Sequence, residues 1–242
     1  MIRLFKYEFI RITSLRSSRV LTILGTLMVS AISYLAIYTT VSSTNGDAVG
    51  IEFNILVPAF VPIWGIWAAT LASQAFGHDY RHGTIRLTLS AFPSRLKVYF
   101  VRVIAVMIWC TVWLATTFAI VIVEGKLLLR DGIDISHSNG AIGRMAIFFA
   151  LFILSAIAIV MITRIMALGT VVPLMMASVV ESLVAFFIPE SLKWTAEYYP
   201  YSRAMTWTMP WNLDGSENAY PLAVFTAILL LVAGVMFVRR DA

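Results

Sequence analysis

The stretch His78-Asp79-Tyr80-Arg81-His82 sets two imidazoles four residues apart. On a helix they share one face, as in the His-Glu-x-x-His zinc motif, where the Glu serves as general base. Here Asp79 stands in place of that Glu, and Arg81 puts a cation beside the pair. A catalytic zinc takes a third protein ligand. The remaining histidine, His137, falls on the other side of the bilayer in the topology read below, which leaves only a carboxylate for the third place. A membrane metalloprotease built on His78 and His82 is therefore a minor reading, and no metal site is expected. The chain has no G-x-x-x-x-G-K-[ST] phosphate loop and no G-x-S-x-G elbow. It is expected not to be an enzyme, and any ATP chemistry belongs to another polypeptide. The single cysteine, Cys110, lies in an apolar run and reads as a small hydrophobe.

The elements that must carry these residues are membrane spans. Of 242 residues, 60 % are hydrophobic and 13 % charged, with a mean hydropathy of +0.86. A soluble domain carries about a quarter of its residues as charges. This balance excludes an ordinary cytosolic enzyme, a disordered chain and a secreted disulfide scaffold. A bilayer core about 30 Å thick needs roughly 20 apolar residues of helix. Segments 20–41, 55–76, 98–123, 145–163, 165–188 and 221–238 meet or approach that length. Arg102 and Glu181 are the only charged residues within those bounds. Backbone groups in hydrocarbon must be satisfied internally, and period-2 alternation is absent, so the spans are helices. The expected fold is an all-α membrane protein with six transmembrane helices in one domain, 1–242. The first run is too long for a signal peptide.

Lys and Arg concentrate on the cytoplasmic side of membrane proteins. With both termini inside, thirteen of the eighteen Lys and Arg fall inside. The reverse arrangement inverts that ratio, so both termini are expected in the cytoplasm. The net charge of +5 then reads as affinity for a lipid surface and not for nucleic acid.

Before the first span, Ile2, Phe5, Phe9, Ile12 and Leu15 recur every three or four residues, an apolar stripe on a basic helix over 1–18. Such a helix lies in the headgroup plane as an elbow, or is a plain cytoplasmic extension. The outer segment 189–220 carries Trp194, Tyr198, Tyr199, Tyr201, Trp207 and Trp211, which suit the membrane interface or line an exit. Glu181 is an intramembrane carboxylate and hence a functional candidate, with a structural role as the alternative. Arg102, near the inner end of its span, can snorkel to headgroups. Pro58, Pro62 and Pro173 can kink their helices. The inner loop 77–97 is polar, basic and compact. Its Ile85, Leu87, Leu89, Ala91 and Phe92 argue against a permanently solvated linker.

Within that loop, Asp79 stands four residues before Gly83-Thr84. A short apolar helix over 85–92 follows, then Pro93-Ser94-Arg95, and Arg102 seven residues on. This order resembles the membrane subunits of type-2 ABC exporters, although Asp79 replaces the usual Glu and Arg102 the usual Lys. Pro93 also meets Ser94 without the usual intervening residue. Lys6-Tyr7-Glu8 with Arg11, the minimal loop after span four and Tyr199-Pro200 resemble the same family. The resemblance implies that Asp79, Arg81, Gly83, Thr84, Ile85, Arg86, Leu87, Pro93, Ser94, Arg95 and Arg102 form an ATPase-coupling segment. It implies an elbow helix with Lys6, Glu8 and Arg11. It implies a substrate path along spans two and five, with Pro62, Trp67, Met176 and Glu181 as candidates. The implied partners are two ABC ATPase subunits carrying ATP and Mg, a second permease copy or homologue, and membrane lipids. The implied location is a prokaryotic plasma membrane, and the implied cargo an amphipathic or hydrophobic drug, peptide antibiotic or lipid. The alternative in another class is a non-transporting membrane anchor or assembly protein.

Overall fold

A computed structural model describes residues 2–43, 51–129, 131–135, 139–209 and 218–239. His137 and Trp211 lie outside the described residues. Helix α1 (Ile2–Ser14) precedes α2 (Arg16–Ser43), with Leu15 at the break. Helices α3 (Phe53–His82), α4 (Ile85–Ala91), α5 (Arg95–Leu128) and α6 (Asn139–Thr163) follow. The next span is built of α7 (Met166–Met175), a π turn over Met176–Val180 and α8 (Glu181–Phe187). A 3-10 segment over Glu190–Tyr198, α9 (Pro200–Trp207) and α10 (Tyr220–Arg239) complete the described chain.

Among the described residues, six helical stretches are long and apolar enough to cross a membrane. They correspond to the six expected spans. Two of them form the centre. The apolar windows of α3 and α6 are 61 % and 67 % buried, while no other span exceeds 28 %. The four outer spans therefore present broad apolar faces that only lipid or another chain can cover.

Three boundaries differ from the sequence expectation. The segment 77–82 is not loop, because α3 runs on to His82 and stops at Gly83, whose φ of +65° is left-handed. Gly takes that conformation without a Cβ penalty. Asp79 thus sits on a rigid helix end. Helix α5 extends beyond its apolar run at both ends, which brings Glu124 into the span. There it accepts hydrogen bonds from Ser30 and Ser33 of α2. Segment 189–209 is mostly helical and not an open loop. A two-residue parallel ladder, Ile51–Glu52 with Ile133–Asp134, ties the segments between spans at the far end.

Pro58 and Pro62 lie inside α3 and Pro173 inside α7. Proline removes an amide donor from the helical ladder, and the π turn begins three residues after Pro173. Gly169 lets α7 enter the groove between α3 and α6. A Cβ there would lie 2.2 Å from Val160 Cγ2 and 2.4 Å from Ser73 Oγ. Gly169→Val is expected to cost about 1–3 kcal/mol by overpacking, seen as a lower melting temperature in detergent. An unchanged melting temperature would contradict this packing.

Candidate functional site

Four charged side chains meet where α1, α3 and α5 converge. Glu8 and Arg102 are fully buried, and Asp79 is 2 % exposed. Arg102 donates from Nε to Glu8 Oε2 at 3.2 Å and from Nη2 to Glu8 Oε1 at 2.8 Å. That is a bidentate fork, the geometry a guanidinium offers a carboxylate. Its Nη2 also lies 2.8 Å from Asp79 Oδ2. Arg11 closes the ring. It donates from Nε to Glu8 Oε2 at 2.9 Å, and its Nη1 lies 2.8 Å from Asp79 Oδ1. Two carboxylates face two guanidiniums, so the buried cluster carries no net charge.

The cluster reaches beyond these four residues. Arg11 Nη2 donates to the Ala75 carbonyl of α3 at 3.2 Å. Thr84, in the turn before α4, donates from Oγ1 to Asp79 Oδ1 at 2.9 Å. The Phe76 ring lies 5.8 Å from the Arg102 guanidinium carbon. One junction therefore joins α1, the end of α3, the entry to α4 and the start of α5. Asp79 Oδ2 and Arg102 Nη1 lack aligned hydrogen-bond partners. Asp79 Oδ2 is held by charge proximity to Arg102 Nη2 more than by a directed bond.

Local sequence explains the burial. Glu8 lies between Leu4 and Ile12, and Arg102 between Val98 and Val106, each four residues away, and all four neighbours are buried. Positions i and i±4 share a helix face. Each charge is thus committed to the packed side of its helix. Arg102 does not snorkel, because Glu8 and Asp79 hold it inside. The buried face of α1 is Leu4, Glu8 and Ile12, whereas Ile2, expected on the apolar stripe, is 86 % exposed. Glu8 must face Arg102, and this sets the rotation of α1. Lys6 is exposed on the other side.

The remaining coupling candidates divide by face. Ile85 and Thr88 turn inward on α4. Arg81, Gly83, Arg86, Pro93 and Ser94 are exposed, and Leu87 is 70 % exposed. Arg95 donates from Nη1 to the Val238 carbonyl of α10 at 3.3 Å. Tyr7 and Phe92 rings lie 6.0 Å apart, a second tie between α1 and the end of α4. The helix therefore clasps its own chain on one face and presents an arginine-rimmed leucine on the other.

At the far end, Glu181 is 5 % exposed. Its Oε1 accepts from the Tyr201 amide at 3.0 Å and its Oε2 from the Ser202 amide at 2.6 Å. These are first-turn amides of α9, which have no partner within that helix. The carboxylate also faces the positive end of the helix dipole. Tyr201 donates from its hydroxyl to Ser155 Oγ of α6 at 3.1 Å. Burial pushes that phenol up to about 12, so it stays protonated at physiological pH.

The other path candidates are not gathered at one place. Pro62 lines an apolar cavity of about 100 Å³ with Leu174, Ala177 and Met205. Trp67 instead packs on Gly25 of α2. Met176 opens the π turn. The His78 and His82 rings lie 4.4 Å apart, yet among the described residues no third His, Cys, Asp or Glu joins them as a metal ligand. Asp79, the expected base, is turned into the arginine cluster. Cys110 is buried against the Ala68 carbonyl.

Searches for relatives find no matching family profile and no matching curated protein.

Proposed function

We propose that this chain is the membrane subunit of a type-2 ABC exporter, worked by a separate ATPase. The four-charge junction carries the reading. It couples α4, the short helix whose outward face an ATPase would grip, to the ends of two spans and to α1. A push on α4 moves the Thr84–Asp79 contact first. Asp79 hands that displacement to α3 directly, and to α1 and α5 through Arg11 and Arg102. Rigid helices pass it along the bundle. In this role α1 is the elbow, both termini are cytoplasmic, and Leu87 with Arg81 faces the partner. ATP and Mg belong to that partner, two copies of which serve two permeases in a plasma membrane.

The cargo side fits a hydrophobic or amphipathic molecule. An apolar cavity of about 300 Å³ opens between α3, α5 and α6, lined by Trp64, Phe118, Met145 and Phe149 among others. The sparsely covered fifth span supplies a second apolar face where another permease copy would pair.

The test is capture from the native membrane. The tagged chain is expected to bring down a protein with a Walker A loop. Leu87→Asp puts a charge into the gripped face and is expected to lose it while the spans stay folded. Recovery of no such protein, or equal recovery with Leu87→Asp, would contradict the reading.

A further inference from the structure

A cavity of about 290 Å³ lies between the end of α3, helix α4, the α6–α7 turn and the end of α10. Two arginines, Arg86 and Arg164, line it together with Tyr80, Leu89 and Phe237, and no Asp or Glu is among its lining residues. Arg164 has a φ of +60°, the only left-handed non-glycine among the described residues. Its amide closes α6 on the Val160 carbonyl at 2.7 Å, and its guanidinium carbon sits 5.6 Å from the centre of the Tyr80 ring. A left-handed backbone suits glycine or asparagine, and a longer side chain there is strained. An arginine nevertheless occupies this turn, with its side chain over Tyr80 at the wall of the cavity. Ile85 and Met161 also line it and are buried, so the cavity has apolar as well as cationic lining.

We propose that this cavity binds the phosphate headgroup of an anionic phospholipid. The two guanidiniums would hold the phosphate oxygens, with the planar fork geometry that favours arginine for this task. The glycerol and first acyl carbons would lie against Phe237 and Met161. The place suits the ligand, because Arg164 directly follows the apolar run of α6 and so sits at the edge of a span. Basic pockets between transmembrane helices recognise lipid headgroups by this chemistry. A lipid here would touch α4 and α10 together and so brace the coupling segment. The inference rests on membrane insertion and not on the ATPase reading, so either can fail alone.

The test uses the full-length protein in mild detergent, with native mass spectrometry and thermal melting. Phosphatidylglycerol is expected to stay bound and to raise the melting temperature. Phosphatidylcholine and millimolar inorganic phosphate are expected to do neither. In R86Q/R164G, phosphatidylglycerol affinity is expected to fall at least tenfold. Its melting temperature in phosphatidylcholine should be unchanged or higher, since glycine takes the turn without strain. Should the double variant fold poorly, R86Q alone is expected to weaken the lipid severalfold. Equal phosphatidylglycerol binding by wild type and variant would overturn the site. So would inorganic phosphate reproducing the whole stabilisation, because the ligand would then be a free anion.

Discussion

Arg102→Leu is expected to cost this protein about 3–5 kcal/mol, the effect of stranding buried carboxylates after their cation is removed. Glu8 and Asp79 would share Arg11 as the one cation left in the junction, and both are almost fully enclosed. A large fall in detergent melting temperature, or loss of folded material on size exclusion, is the expected outcome. Glu8→Leu should also destabilise, because Arg102 would keep only Asp79. The double variant Glu8→Leu/Arg102→Leu leaves Arg11 and Asp79 as a balanced pair. It is expected to recover roughly 1–3 kcal/mol relative to the sum of the singles. Apolar replacement of a whole buried pair is often nearly neutral. Simple additivity would show that the two residues do not act together. Thr84→Val removes a donor to Asp79 without changing the charge balance and should be far milder.

Glu181→Ala is the second large effect. It strands the Tyr201 and Ser202 amides, at about 1–3 kcal/mol for each buried donor left unpaired. Helix α9 is only eight residues long and begins with Pro200, so it has little stability of its own. A loss of about 2 kcal/mol corresponds to roughly 30-fold faster hydrogen exchange across α9. Glu181→Gln keeps one acceptor oxygen and should fall between wild type and Ala. Exchange in α9 unaffected by Glu181→Ala would free this carboxylate for a role on a substrate path. Should the ranking hold, Glu181 is explained as the clamp joining the fifth span to α9.

The spans were legible because their signal is long and additive: each apolar run outweighs its few polar residues. Of the junction's charges, Arg102 was visible as a cation inside an apolar run, whereas Glu8 entered only through the resemblance of Lys6-Tyr7-Glu8 to an elbow helix. Their meeting was not visible, because it depends on how α1 rotates against α5. The apolar stripe counted Ile2 and passed over Glu8, and burial of the ion pair overrode it. Glu124 escaped notice because it closes an apolar run, where hydropathy alone cannot distinguish a helix end from a loop. Its partners, Ser30 and Ser33, lie on another span. The left-handed Arg164 had no signal in residue type at all, for the turn demands it while glycine would have announced it. Glu181 was conspicuous as a lone carboxylate, but its partners are backbone amides, which every residue supplies.

The junction also differs from a surface salt bridge in what it can transmit. Its four partners lie on three elements, α1, α3 and α5, and have little exposure, so moving one element without the others breaks ion pairs in a poorly solvated site. That cost keeps α1, α3 and α5 moving together, while the polar turn at Gly83-Thr84 links them to α4.

The most direct measurement is ATP hydrolysis by material purified through the tagged chain in mild detergent. Wild type is expected to carry vanadate-sensitive hydrolysis, and Leu87→Asp to carry less than a tenth of it with the spans intact. Absence of hydrolysis from the wild-type preparation, or equal hydrolysis in the Leu87→Asp preparation, would contradict an ATPase-driven permease gripped at α4.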